Sequence, residues 1–361
     1  MLPARPRILV VALRRLGDVL LTTPLIRSIR RAWPDATLDV LVFADTAGIL
    51  ESNPDIDRVV AMPPRPTLAQ SLALAARLFK RYHLAVSTQS GDRPTFFALL
   101  AGRNHAGPVW PNERAKRWLL GRSVTAGEAV HRVEEMLRLA DALGIARVAE
   151  VIAPSGVLAP SHAISGAYAV IHAAPMFRYK QWTRDGWRAL ADALEQRGLA
   201  VAATGGPADR AYLDEVWADA PNVRRLDGIL RWPEIAALLA AARLYVGPDT
   251  SVTHLAAASG CPTVALYGPT DPRLWGPWPA HGLPIPWAAA GTIQHRRNVW
   301  LVQNPLACLP CQQEGCDRHL TSRAQCLDEL TPRQVLAAVD QALGASQPDE
   351  GANGSARSAA R

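Results

Sequence analysis

Short apolar runs alternate with longer amphipathic ones along this chain, and the alternation starts afresh halfway. In the first half Ile8 to Leu13, Leu38 to Phe43, Val59 to Met62 and Leu84 to Ser87 read as strands. Leu68 to Tyr82 reads as a helix whose Leu72, Ala75, Ala76 and Phe79 recur at helical spacing, and a helix from Glu128 to Leu143 closes this half. Residues 153–166 lose periodicity and fill with Pro, Ser and Gly, the composition of a linker. The pattern resumes with strand Tyr168 to His172, helix Arg184 to Gln196, strand Leu199 to Ala203 and helices Asp209 to Trp217 and Pro233 to Ala242. Strand Leu244 to Gly247, helix Val252 to Ser259, strand Thr263 to Tyr267 and a last helix Pro332 to Leu343 follow. Strands alternating with helices build parallel sheets covered on both faces. The expectation is an α/β chain of two Rossmann-like domains, residues 1–152 and 167–345, with a polar, disordered tail at 346–361.

With 361 residues and 49% apolar content, each half can bury a core of its own and leave a cleft between them. No stretch reaches the roughly 18 to 20 unbroken apolar residues of a membrane helix. The run Ile8 to Leu13 is too short for the core of a signal peptide and lacks a cleavage site, so a cytoplasmic chain is expected. A formal charge of +7 and a pI near 9.5 favour anionic partners: phosphorylated sugars, nucleotides, acidic lipid surfaces or nucleic acid.

Chemistry-bearing residues gather where strands hand over to helices, the ends at which open α/β sheets bind ligands. After the first strand come Gly17, Asp18, Thr22 and Thr23, a glycine, a carboxylate and hydroxyls where that strand hands over to a helix at the cleft. Only one glycine is present, so the dinucleotide fingerprint is absent. Asp18 reads either as a helix cap or as a base. Lys180 follows the first strand of the second half in a loop entering a helix, either solvated or directed at a diphosphate. Gly205 follows a strand at a bend that lets backbone approach a nucleotide. The densest cluster is Asp249, Thr250, Ser251 and His254, a strand end opening into a helix of small residues. Asp249 and Thr250 are caps or ligand groups, and His254 is a core histidine or faces the cleft.

Asp55-Ile56-Asp57 has a spacing that can hold a metal, but lies in a turn where aspartates ordinarily serve the backbone. Cys308, Cys311, Cys316 and Cys326 are close enough for a tetrahedral zinc site, yet irregularly spaced; buried thiols or a redox pair fit as well, and no metal is assigned. Val109 to Gly121 interleaves Arg114, Lys116 and Arg117 with Trp110 and Trp118, either a solvated helix face or a surface for an anionic membrane or acceptor.

The order of these motifs, from Arg7 to about Trp278, resembles glycosyltransferase family nine, the bacterial heptosyltransferases of the lipopolysaccharide inner core. The opening ILVVALRRLGDVLLTTP, the KQW at Lys180 and GPDTSVTHLAAASGCPTVALYGPTDP carry the resemblance, and LVFADTAGILESNPDID looks like the branch adding the third heptose. The resemblance implies a GT-B fold, with the acceptor on the N-terminal domain and ADP-L-glycero-D-manno-heptose on the C-terminal one. It implies an inverting mechanism without cofactor or metal, an anionic lipopolysaccharide core acceptor met at the inner membrane surface, and no nucleic acid. Asp18 then takes the role of general base, Lys180 contacts the donor phosphates, and Asp249, Thr250 and His254 lie against the donor. Ser251 stands where the family usually has glycine, and Ala174-Pro175 where it has a small hydroxyl residue. The competing expectations are a non-catalytic nucleotide-sugar-binding module, a transferase using another nucleotide sugar, and a nucleic-acid binder organised by the cysteines.

Overall fold

A computed structural model describes residues 2–345, and the tail expected at 346–361 lies outside the described residues. Six parallel strands form the first sheet: β1 Arg7–Val11, β2 Thr37–Phe43, β3 Arg58–Met62, β4 Tyr82–Ser87, β5 Gly102–Val109 and β6 Arg122–Thr125. They lie in the order β3-β2-β1-β4-β5-β6. The second sheet comprises β7 Tyr168–His172, β8 Ala200–Thr204, β9 Arg224–Arg225, β10 Leu244–Pro248, β11 Thr263–Leu266, β12 Ile293–Arg296 and β13 Val299–Val302. Its order is β12-β13-β11-β10-β7-β8-β9, parallel except for the β12–β13 hairpin. Each sheet reverses direction of winding once, between β1 and β4 and between β7 and β10, and so opens a crevice at the carboxyl ends of those strands. Both crevices face one shared cavity, the GT-B arrangement.

The strands are buried on both faces because each alternate residue meets a different layer. Ile8 and Val10 pack into one core, and Leu9 and Val11 into the other. The first of these cores runs on into the second half, where Val19 and Leu20 share it with Val252 and Leu255. Polar contacts reinforce this joint: His131 Nε2 donates to Gly276 O at 2.8 Å, and Trp278 Nε1 to Ala149 O at 2.8 Å. The Trp232 ring lies so close to Gly48 that a Cβ there would overlap it.

Three sequence expectations shift. Strands β5, β6, β9, β12 and β13 were not anticipated; in the first two, GRNHAGPV and RSVT mix polar residues into the pattern near an edge of the sheet. The helix after β3 ends at Leu78, since Tyr82 already opens β4. Its buried edge runs through Leu78 and the half-buried Leu74, whereas Leu72 and Phe79 point outward. Among the described residues no helix is long and apolar enough to cross a membrane.

Burial pushes the imidazoles of His131 and His172 down to about 4, against the pull of hydrogen bonds at Gly276 for the first and at Thr204 and Ala174 for the second. With native values below the ordinary 6.5, the unfolded chain binds these protons first as pH falls. Their contribution is whole above about pH 6.5 and is lost towards about pH 4, on the order of 3 kcal/mol for each residue. Urea midpoints measured from pH 7 to pH 4.5 should therefore fall less steeply in His131→Gln than in the parent chain, and parallel curves would count against this source of acid lability.

Candidate active site

The first strand delivers the chain into a short helix, Leu16–Leu20, at the crevice of the first sheet. Asp18 is its third residue and caps no backbone group; the N-cap position belongs to Arg15. Two guanidinium groups fall on Asp18 Oδ1, Arg14 Nε at 3.1 Å and Arg132 Nε at 3.6 Å. Among the described residues Oδ1 and Arg132 Nε have no hydrogen-bond partner, so the guanidinium groups act on this carboxylate as charges. Arg132 is itself buried, donating to Thr88 O at the end of β4 and pairing with Glu135. Burial lowers its pKa, Glu135 and Asp18 act against the fall and Arg14 adds to it. An arginine keeps its charge under such stress, so a fixed cation stands behind the carboxylate.

At the crevice of the second sheet, β10 runs into helix Ser251–Ala258. Thr250 caps it, its hydroxyl accepting from Thr253 N, which leaves the N–H groups of Ser251 and Val252 without a backbone acceptor. Lys180, from the loop after β7, donates to Asp249 Oδ2 at 2.5 Å, and the Tyr267 hydroxyl approaches Oδ1 at 3.4 Å. Burial raises the Asp249 carboxyl, but the charges of Lys180 and His254 and hydrogen bonds from Lys180 and Thr270 bring it below its ordinary value. His254 is buried, with Nε2 4.0 Å from Asp249 Oδ1 and with Nδ1 lacking a hydrogen-bond partner among the described residues. Burial lowers its pKa, while Asp249 and Asp18 act upward and Lys180 downward. Both carboxylates, one from each half, are thus felt by a single imidazole.

The two helix starts touch. A Cβ on Gly17 would lie 3.5 Å from His254 Cδ2 and 3.6 Å from Ser251 Cα, so a larger side chain there would wedge the halves apart. Arg15 lies over the Phe177 ring at 4.9 Å, a second tie across the cleft. The resulting cavity, about 1240 Å³, is lined by Gly17, Asp18, Lys180, Gly205, Asp249, Thr250, Ser251 and His254 together. It exceeds the roughly 300 to 1,000 Å³ of an ordinary single-ligand pocket. Gly205 is demanded by packing, because a Cβ there would sit 2.4 Å from Leu213 Cδ1.

Two residues expected at the cleft are turned away from it. Thr22 and Thr23 are buried, and their hydroxyls bond backward to Asp18 O at 2.9 Å and Leu20 O at 2.8 Å. Thr23 also accepts from Ile152 N, so this pair braces the Asp18 turn against the following chain. Asp55 and Asp57 are engaged by Arg27 and Arg30. The four clustered cysteines are free thiols; burial, then the neighbouring thiols, push Cys326 up to about 12. Sequence reasoning missed Arg15 and the Arg14 and Arg132 clamp. The paired arginines beside Gly17-Asp18 were a usable signal for the first two, whereas nothing in HRVEEM marks Arg132 as buried.

The model of glycosyltransferase family 9 (heptosyltransferase) matches residues 133–288. Lipopolysaccharide heptosyltransferase 3 of Escherichia coli is 30% identical over 283 residues, 73% of this chain and 83% of that protein. Lipopolysaccharide heptosyltransferase 1 of Pseudomonas aeruginosa is 28% identical over 91% of this chain and 93% of its own length. Among solved structures, E. coli ADP-heptose lps heptosyltransferase II superposes with a TM-score of 0.74 at 20% identity, covering 94% of this chain and 99% of that one. E. coli heptosyltransferase WaaC with ADP gives 0.70 at 22% identity, covering 93% and 99%.

The Lys180–Asp249 pair is mostly buried, so removing one partner leaves the other charge stranded. Lys180→Met should lower stability to urea by about 3 kcal/mol, and adding Asp249→Asn should restore most of it. If the double variant is no more stable than Lys180→Met, the two charges are not coupled as described.

Proposed function

The chain belongs to glycosyltransferase family 9, and from that premise we propose that it transfers heptose from ADP-L-glycero-D-manno-heptose to a hydroxyl of the lipopolysaccharide inner core, inverting the anomeric carbon. One observation carries the reading: a carboxylate from one half and the open start of a capped helix from the other line the same cavity. Inversion requires attack from the face opposite the leaving diphosphate, so a base and an anion cradle must flank the sugar from opposite sides. The Asp18 carboxylate takes the acceptor proton, with the charges of Arg14 and Arg132 beside it. The donor diphosphate rests on the free N–H groups of Ser251 and Val252 and on Lys180, whose ammonium Asp249 has already positioned. These groups supply the positive charge that a metal would otherwise bring, so transfer proceeds without one. Similarity to heptosyltransferase 3 supports the third heptose as the one added. The acceptor is lipid-anchored, which puts the reaction at the inner face of the cytoplasmic membrane.

Asp18→Ala should leave ADP affinity nearly unchanged by calorimetry and cut turnover at least about a hundredfold, the low end for a general base. Wild-type turnover in this variant would refute the assignment, and binding of ADP-heptose without turnover by the parent protein on any core acceptor would make the chain a binding module. Incubation with EDTA should leave the parent rate unaltered; loss that added divalent metal reverses would overturn the metal-free mechanism.

A further inference from the structure

Three helices on the outer side of the first sheet carry an apolar surface that the fold leaves uncovered. Leu68–Leu78 and Asp92–Ala101 pack on each other and on the strands, yet Leu68 is 75% exposed, Leu72 60%, Phe79 62% and Phe96 53%. Next along the surface, helix Arg114–Leu120 exposes Trp118 by 82%. The three are joined into one face: Arg93 Nη1 donates to Pro64 O ahead of the first helix, and Lys116 Nζ reaches Ser90 O and Asp92 Oδ1 at the start of the second.

Charge singles out the same region. Between Arg58 and Thr125 the chain has eleven Lys and Arg against two carboxylates, whereas all the rest has twenty-eight against thirty. The positive charge of the protein therefore resides in the segment that builds this face. Arg65, Arg77, Arg93, Arg103, Arg114 and Arg117 are exposed around the apolar residues.

We propose that this face docks on an anionic lipid bilayer, with Leu68, Leu72, Phe79, Phe96 and Trp118 entering the headgroup boundary and the surrounding arginines meeting lipid phosphates. Leucine and aromatic side chains ringed by arginine are the pattern of an interfacial membrane contact, in which apolar burial and attraction to acidic lipid act together. An acidic protein would complement the arginines but gives no reason for five large apolar side chains to be held in water. The location deepens the functional reading on which it rests: Ser90 and Gly91, beside Lys116, line the cavity on the Asp18 side, so docking brings the mouth of the acceptor site to the bilayer.

The test is flotation of the full-length protein with vesicles of phosphatidylglycerol and phosphatidylcholine, against vesicles of phosphatidylcholine alone. The parent should partition to the acidic vesicles and be released by salt. Leu72→Ser with Phe79→Ser and Trp118→Ser, and separately Arg114→Glu with Arg117→Glu, should each weaken partitioning at least about tenfold. ADP affinity and transfer to detergent-dispersed acceptor should stay at parent levels in both variants. Equal partitioning of parent and variants, absence of parent binding at low salt, or equal binding to neutral vesicles would each overturn the proposal. A lipid-free dimer that the same substitutions abolish would overturn it in favour of a second copy. Loss of docking with transfer to dispersed acceptor intact bears on this face alone, while absence of transfer in the parent bears on the function.

Discussion

Two helix starts, one from each half, are pressed together at Gly17, and the rest of the site follows from that contact. Helix starts carry unpaired N–H groups and a partial positive charge, so bringing two of them close is unfavourable without anions nearby. Asp18 in the first and Asp249 before the second provide those anions. The same approach seals His254 from water and places it within the field of both carboxylates. Gly17 leaves room for no more than a methyl group at this contact, and the shared core of Val19, Leu20, Val252 and Leu255 maintains it.

Around that contact, charges alternate. Arg132 and Arg14 flank Asp18, and Lys180 and His254 flank Asp249. Buried ion pairs of this kind contribute little net stability, because desolvation offsets most of the attraction. Their value is geometric: each group is held in place by its partner, so little reorganisation is needed to meet charge that develops beside it. His254 Nδ1, without a hydrogen-bond partner among the described residues, belongs to the same picture, a polar atom kept dry beside the contact of the two halves.

The two halves divide the work by electrostatics as well as by fold. The half bearing Asp18 presents an arginine-rich, partly apolar outer face, while the remainder of the chain is close to neutral. The excess positive charge and most of the exposed large apolar side chains thus lie on the half that carries Asp18.

Much of this was written in the local pattern of residues. Apolar runs bounded by turns specify β1, β7 and β10, and the helices after β7 and β10, to within a few residues, because burial on both faces leaves little choice of side chain. Since ligands gather where such strands end, Asp18, Lys180 and the Asp249–His254 cluster were legible too. Strands β5 and β6 were not, because their polar residues lie near a sheet edge where burial no longer constrains them. Nor was the direction of a hydroxyl: Thr22 and Thr23 follow Asp18 by four and five residues, yet helical geometry turns both hydroxyls back onto the preceding backbone. The sequence alone determined which groups stand at the strand ends. Tertiary structure alone decided that Arg132, more than a hundred residues away, lies behind Asp18, and that Lys180 is bound to Asp249, since only packing brings distant charges within reach of each other.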